Sequence, residues 1–311
     1  MNISTHRSQS HRTAVPAGKF DWPLVLFFAI AYAIAWGVFG IISLIARQSG
    51  VESAQTLMAL GDSFQLEGVP LSVPGWLVYL LTRLADFAFS IAGLVMIAVT
   101  AGRAGLGELW QRLTRWRIPW IWYGAGLLPI LLYGVATAVA IPVAGAGGTV
   151  DLSGKAIYTI LFSAQAGLFV SLFLRGAMGE ELGLRGFALP RLQARMSSFR
   201  ASLLIGILWA AWHLPVLLGR DVISILLFLL LAVVISFIFT WLFNGSGGSL
   251  WPVLIFHATQ NAEEVFETIF PSLLGTDWEL ISSLGLLVIG IVVGMLLWRG
   301  HRDCINDDSA D

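Results

Sequence analysis

"WPLVLFFAIAYAIAWGVFGIISLIA", residues 22–46, runs for 25 residues without a charged side chain. A helix needs roughly 20 apolar residues to cross the hydrocarbon core of a bilayer. Apolarity on every face, with no alternation, argues against a half-buried strand. The run is also too long for a signal-peptide core of about 7–15 residues, so it reads as a span and not as a cleavable leader. Seven further runs share its character, at about 74–101, 118–143, 156–189, 201–219, 222–243, 249–270 and 280–298. The sequence therefore predicts an all-α, polytopic membrane protein, with eight transmembrane helices in one bundle over 21–298. Short polar tails, 1–20 and 299–311, are expected to lack structure.

Composition agrees. The chain has 311 residues, 57% hydrophobic and only 12% charged, against about 25% charged in soluble domains. Mean hydropathy is +0.81. A net charge of −1 gives no basic field for nucleic acid. The single cysteine, Cys304, excludes an internal disulfide and any multi-cysteine metal site. No internal repeat or second domain is visible.

Basic residues set the expected orientation. They fall in the N-terminal tail (Arg7, Arg12, Lys19), the 2–3 loop (Arg103, Arg112, Arg115, Arg117), the 4–5 loop (Arg191, Arg195, Arg200) and the C-terminal tail (Arg299, Arg302). The intervening loops are poor in base: Glu52, Asp62 and Glu67 follow span 1, and Asp277 follows span 7. Eight spans with both termini in the cytoplasm fit this pattern. Multi-pass insertion in a bacterial plasma membrane is the expected location.

Ionisable groups inside spans are costly, at least about 2.5–3.5 kcal/mol near the bilayer centre, and are functional candidates for that reason. Arg83 and Asp86, three apart, read as a structural ion pair. His6, His11 and His301 lie in the tails, whereas His213 and His257 lie inside spans 5 and 7. Glu181 and Arg185 stand at i and i+4 and can pair along one helix. The adjacent Glu180 is turned by about 100° and aimed elsewhere. His257 and Asn261 share a helix face. Taken one at a time, each of these histidines is more ordinarily a helix–helix hydrogen-bond partner, and Glu180 a solvated helix end. Together they supply a base, two imidazoles and an amide donor, enough for hydrolysing an amide bond.

Three motifs in order, Glu180-Glu181-Leu-Gly-Leu-Arg185, Trp209-Ala-Ala-Trp-His213 and His257-Ala-Thr-Gln-Asn261, resemble the CPBP intramembrane proteases. That family, also called ABI, includes CAAX prenyl endopeptidases and bacteriocin-processing or self-immunity proteins. Trp209 stands where phenylalanine is commonest. The resemblance covers about 170–265, within a protease core placed at about 156–270. It implies an intramembrane peptidase in which Glu180, with His213, activates water while His257 and Asn261 stabilise the oxyanion. Glu181 counts with the catalytic group; Arg185 would hold it, and with Trp209 gives structural support. The implied substrate is a membrane-associated peptide or protein, met in the lipid bilayer.

Alternatives keep the same residues. No cofactor is expected, but Glu180, His213 and His257 could ligate zinc in a metal-dependent version of the same protease, although no H-E-x-x-H pair is present. A non-catalytic membrane immunity or partner protein, or a proton-coupled transporter, would also carry intramembrane Glu and His. For the three motifs to meet, span 4 must tilt, start late or break near Gly176 or Gly179. Pro215 is expected to end or kink span 5 just after His213.

Overall fold

The computed structural model describes residues 21–62, 65–143, 167–261 and 278–308. Tail 1–20, the start of span 4 and the end of span 7 lie outside these residues. Everything described is helix, turn or loop. The helices are α1 (Trp22–Gln48), α2 (Ala54–Asp62), α3 (Gly75–Asp86), α4 (Ala88–Thr114), α5 (Trp120–Gly126) and α6 (Leu128–Val143). A short α7 over 167–173 precedes α8 (Gly176–Gly183). A π-helical turn, Leu184–Ala188, joins α8 to α9 (Leu189–Gln193). Then come α10 (Ser198–Trp212), α11 (Leu214–Leu217), α12 (Val222–Gly245), α13 (Trp251–Gln260) and α14 (Trp278–Asp308).

Among the described residues four stretches are long and apolar enough to cross a membrane: α1, α4, α12 and Leu280–Arg299 within α14. Helix α5 with Leu128–Val139 makes a fifth, bent by 47°. Their outer faces carry exposed Val99, Ile121, Leu131 and Ile223, as lipid contact requires. The protein is a multi-pass, all-helical membrane protein.

Several expected spans are broken. The 74–101 run is two helices divided at Phe87. Gly102, at φ 56, bends α4 again, in a conformation open chiefly to glycine. The 156–189 run breaks at Leu174 and Arg175, whose extended backbone caps α8. The 201–219 run ends at Trp212, and Pro215 sits in the first turn of α11. The C-terminal tail, expected to lack structure, continues α14 to Asp308. Extending an existing helix gains a hydrogen bond per residue without a new nucleation cost.

Small residues set the closest crossings, as in membrane bundles where backbones meet directly. A methyl on Gly183 would lie 2.1 Å from the Phe89 carbonyl oxygen, and one on Gly179 2.3 Å from that of Asp86. The Ser90 hydroxyl donates to the Met178 carbonyl at 2.7 Å. The main core gathers Phe27, Phe89, Leu184, Ile205, Phe239 and Phe256. A second cluster, with Ile42, Leu57 and Val78, docks α2 against α1 and α3.

Candidate active site

The three motifs converge. Helix α8 carries Glu180 and Glu181, buried at 5% and 0% exposure. Glu181 faces Arg185, whose Nη1 lies 3.1 Å from Oε1 and 3.0 Å from Oε2. Arg185 is itself fully buried. Its Nη2 donates to Ser236 Oγ at 3.2 Å, Ser236 donates on to the Ser202 carbonyl at 3.0 Å, and the guanidinium lies 4.3 Å from the centre of the Phe239 ring. The predicted Glu181–Arg185 pair is therefore present, locked between α8, α10 and α12.

Glu181 also receives a hydrogen bond from His257 Nδ1 at 2.8 Å. A carboxylate only accepts, so Nδ1 carries the proton and Nε2 is the nitrogen left for the cavity. The Trp209 indole Nε1–H donates to Glu180 Oε2, which leaves Oε1 for another partner. His213 caps α10 and its Nδ1 donates to the Trp209 carbonyl at 2.9 Å. Its Nε2 therefore offers a lone pair. Trp209 thus does more than support: it holds one motif's carboxylate by its indole and another motif's imidazole by its backbone.

Gly176 is the residue that sequence reasoning missed. A methyl there would sit 2.9 Å from His257 Nε2, 3.0 Å from Glu180 Oε1 and 3.4 Å from Asn261 Nδ2. Those three atoms therefore surround one point just above the glycine. The break at Leu174 and Arg175 sets this glycine on the wall of a cavity of ≈ 230 Å³, which Glu180, one turn later, shares with a larger neighbour. The larger cavity is ≈ 540 Å³, lined by Glu180, Trp209, His213, His257 and Asn261, with Gln55 and Met58 of α2 across from them. Asn261 caps α13, its N–H bonded to the His257 carbonyl, and is exposed to the opening. Ser236 also escaped the sequence reading; its signal was a polar position, with Thr240 one turn on, inside an otherwise apolar run. Arg83 and Asp86 form the expected pair at 3.0 Å, and Arg83 also donates to the Leu174 carbonyl at 2.8 Å, holding the break open.

Among the described residues no three His, Cys, Asp or Glu side chains come close enough together to hold a metal ion. His213 and His257 each spend Nδ1 on a protein acceptor.

Residues 162–262 match the family model for type II CAAX prenyl endopeptidases, Rce1-like. The core is CPBP-like. A curated relative, CAAX prenyl protease 2 of Methanococcus maripaludis, is 30% identical over 148 residues, 44% of this chain and 53% of the relative. The chain thus spans about half the length of the curated relative it matches. The CPBP-like stretch contains every one of the converging motif residues, while α1 to α4 pack around it from outside the family match.

Proposed function

We propose that the protein is an intramembrane endopeptidase that hydrolyses a peptide bond of a membrane-associated protein or peptide. One observation carries the reading: Glu180 Oε1, His257 Nε2 and Asn261 Nδ2 converge over Gly176, and their side chains line one open cavity with His213. A water held in the cavity against Glu180 Oε1 gives one proton to Glu180 as its oxygen attacks the scissile carbonyl carbon. His213 Nε2 accepts a hydrogen bond from the water's other hydrogen and orients it. The carbonyl oxygen, now anionic, is held by Asn261 Nδ2–H and by His257, which donates through Nε2 in its doubly protonated form. With that imidazolium, Glu180, Glu181, Arg185 and His257 sum to zero charge, which suits a buried cluster. Glu180 then passes its proton to the departing amine as the carbon–nitrogen bond breaks.

The protein sits in the plasma membrane with both termini in the cytoplasm. Its expected substrate binds beside the bilayer, prenylated or not. Glu180→Gln in the full chain is expected to abolish cleavage with membrane level and melting temperature unchanged. Near-native cleavage by that variant would remove the assignment.

The reading is metal-independent. The spacing of the candidate ligands supports this over a shared zinc: among the described residues no three His, Cys, Asp or Glu side chains come together. Purified protein in detergent is expected to hold far less than one zinc per chain by elemental analysis, and to keep its activity after prolonged dialysis against a strong chelator. The residual metal is measured after dialysis, because a buried ion exchanges slowly. Stoichiometric zinc, with activity lost on chelation and restored by zinc alone, would move Glu180, His213 and His257 into a metal shell.

A further inference from the structure

A second recess lies apart from the candidate active site. It is a notch of ≈ 100 Å³ spanning the bend of α4 at Gly102. Thr100 and Ala101 line it before the bend, Glu108 and Arg112 after it, and Phe187 and Arg191 from across. It shares no lining residue with the catalytic cavity. At about 30 Å³ per water, it has room for a few waters or one phosphate group, and not for a peptide.

Two guanidinium groups flank the notch, and each rests on an aromatic ring. Arg191 lies 5.0 Å from the centre of the Phe187 ring, and Arg112 lies 5.7 Å from that of Phe243. Stacking fixes the plane of a guanidinium and leaves its edge for hydrogen bonds, the geometry that grips a phosphate bidentately. Arg112 spends one of its N–H groups on the Gly186 carbonyl, at 2.9 Å. Arg191 Nε is buried and, among the described residues, donates to no acceptor. Asp21 Oδ1, at 3.7 Å, is its ion-pair neighbour but stands beyond hydrogen-bond length. The segments that build the notch, 101–117 and 189–200, hold Arg103, Arg112, Arg115, Arg117, Arg191, Arg195 and Arg200 against Glu108 alone. Glu108 stands four residues before Arg112 on one helix face and offsets one of these charges. Asp21 is already shared between Arg191 and Arg195. A net positive field therefore remains around the notch.

The surface outside the notch indicates the source of the phosphate. Leu94, Ala98 and Ala101, spaced a turn apart on α4, are exposed and lead from the notch along the apolar span. Trp110, Trp116 and Trp120 are exposed at 64%, 59% and 81%, and tryptophan marks the headgroup level of a bilayer. An anion in the notch would thus have the headgroup level beside it and hydrocarbon leading away from it. We propose that the notch binds the headgroup phosphate of an anionic glycerophospholipid, with Arg112 and Arg191 on the phosphate and the acyl chains against α4. The π-helical turn that supplies Phe187 also carries Arg185, so the bound lipid braces the turn from which Arg185 holds Glu181. The site does not depend on the peptidase reading.

The test uses the full chain, delipidated in a neutral detergent, with bound lipid counted by native mass spectrometry and stability followed by thermal melting. The probes are phosphatidylglycerol, phosphatidylcholine (whose choline cancels the phosphate charge) and inorganic phosphate. Phosphatidylglycerol is expected to bind at least about tenfold more tightly than phosphatidylcholine, as one to two arginines beside an anionic headgroup provide. It should also raise the melting temperature, and inorganic phosphate at the same concentration should not. Arg191→Gln is expected to abolish the preference between the lipids. Arg200→Gln removes the same charge from an exposed position outside the notch and should keep the preference. Equal binding of the two lipids overturns the proposal. So does protection by inorganic phosphate alone, which would make the notch an anion site without a lipid, and so do equal losses in the two variants, which would reduce the effect to bulk charge. Should Arg191→Gln not fold, Ala101→Leu, which fills the notch and removes no charge, decides by the same preference.

Discussion

Glu181 has no exposed surface and is shared by Arg185 and His257, so its role separates cleanly from that of its neighbour. Glu181→Gln keeps the shape but strands the Arg185 charge in the core. Breaking a buried pair in this way costs about 3–5 kcal/mol. The expected outcome is a lower melting temperature and lower yield together with lost activity, unlike Glu180→Gln. Asn261 is exposed and contributes a single donor to the proposed oxyanion site. Asn261→Ala is expected to leave folding intact and lower kcat about a hundredfold, the usual effect of removing one such donor. A steady-state comparison of the two variants, with melting curves beside it, checks both. These roles were legible because a carboxylate, an imidazole or an amide stands out in an apolar run. Gly176 was not: a glycine's importance depends on what would meet its missing methyl, and here that is contributed by His257 and Asn261 from 81 and 85 residues away in sequence.

The same reasoning decides which helix glycines matter. In α8 a methyl on Gly183 would meet the Phe89 carbonyl oxygen at 2.1 Å, backbone that cannot turn away. In α1 a methyl on Gly37 would meet nothing within 4 Å. Gly183→Ala is therefore expected to destabilise by about 1–3 kcal/mol, the usual cost of overpacking. Gly37→Ala should be neutral or slightly stabilising, through its better helix propensity. Thermal melting in detergent compares the two. Equal effects would mean that α4 and α8 do not cross at Gly183. Sequence gave the apolar runs and the stop at Pro215, since both are local signals. It did not give the break at Phe87 or helix α2. Those depend on Asp86 packing on Gly179, on Arg83 reaching the Leu174 carbonyl, and on Leu57 finding Ile42 and Val78. The break near Gly176 could be anticipated only from the demand that three motifs meet.

Across the whole molecule, contacts between helices set chain direction where no motif does. A methyl on Gly290 would meet Val234, and one on Gly294 would lie 3.3 Å from Phe237, so the two numberings rise together. Helix α14 therefore runs parallel to α12. Helix α12 runs from the cavity, near Phe228, to an arginine-rich end of the bundle, where Arg115 donates to the Gly247 carbonyl. The C-terminal end of α14, with Arg299, is thus carried toward that end, where Asp21 opens α1 beside Arg191 and Arg195. Even segments that are broken keep this alternation: α5 begins beside Gly245 and α6 reaches Gln260 through the Tyr133 hydroxyl, leading away from it. An even number of crossings follows if every such segment traverses the bilayer, with both termini on the cytoplasmic side. A fluorescent-protein fusion after Asp311 should be bright, and an alkaline phosphatase fusion at the same place inactive, because each folds productively on only one side. The same pair of reporters inserted after Glu52, in the acidic loop between α1 and α2, should give the opposite result. Matching signals at Glu52 and Asp311 would require an odd number of crossings between them to be lost, and the parallel packing of α14 on α12 could not then stand.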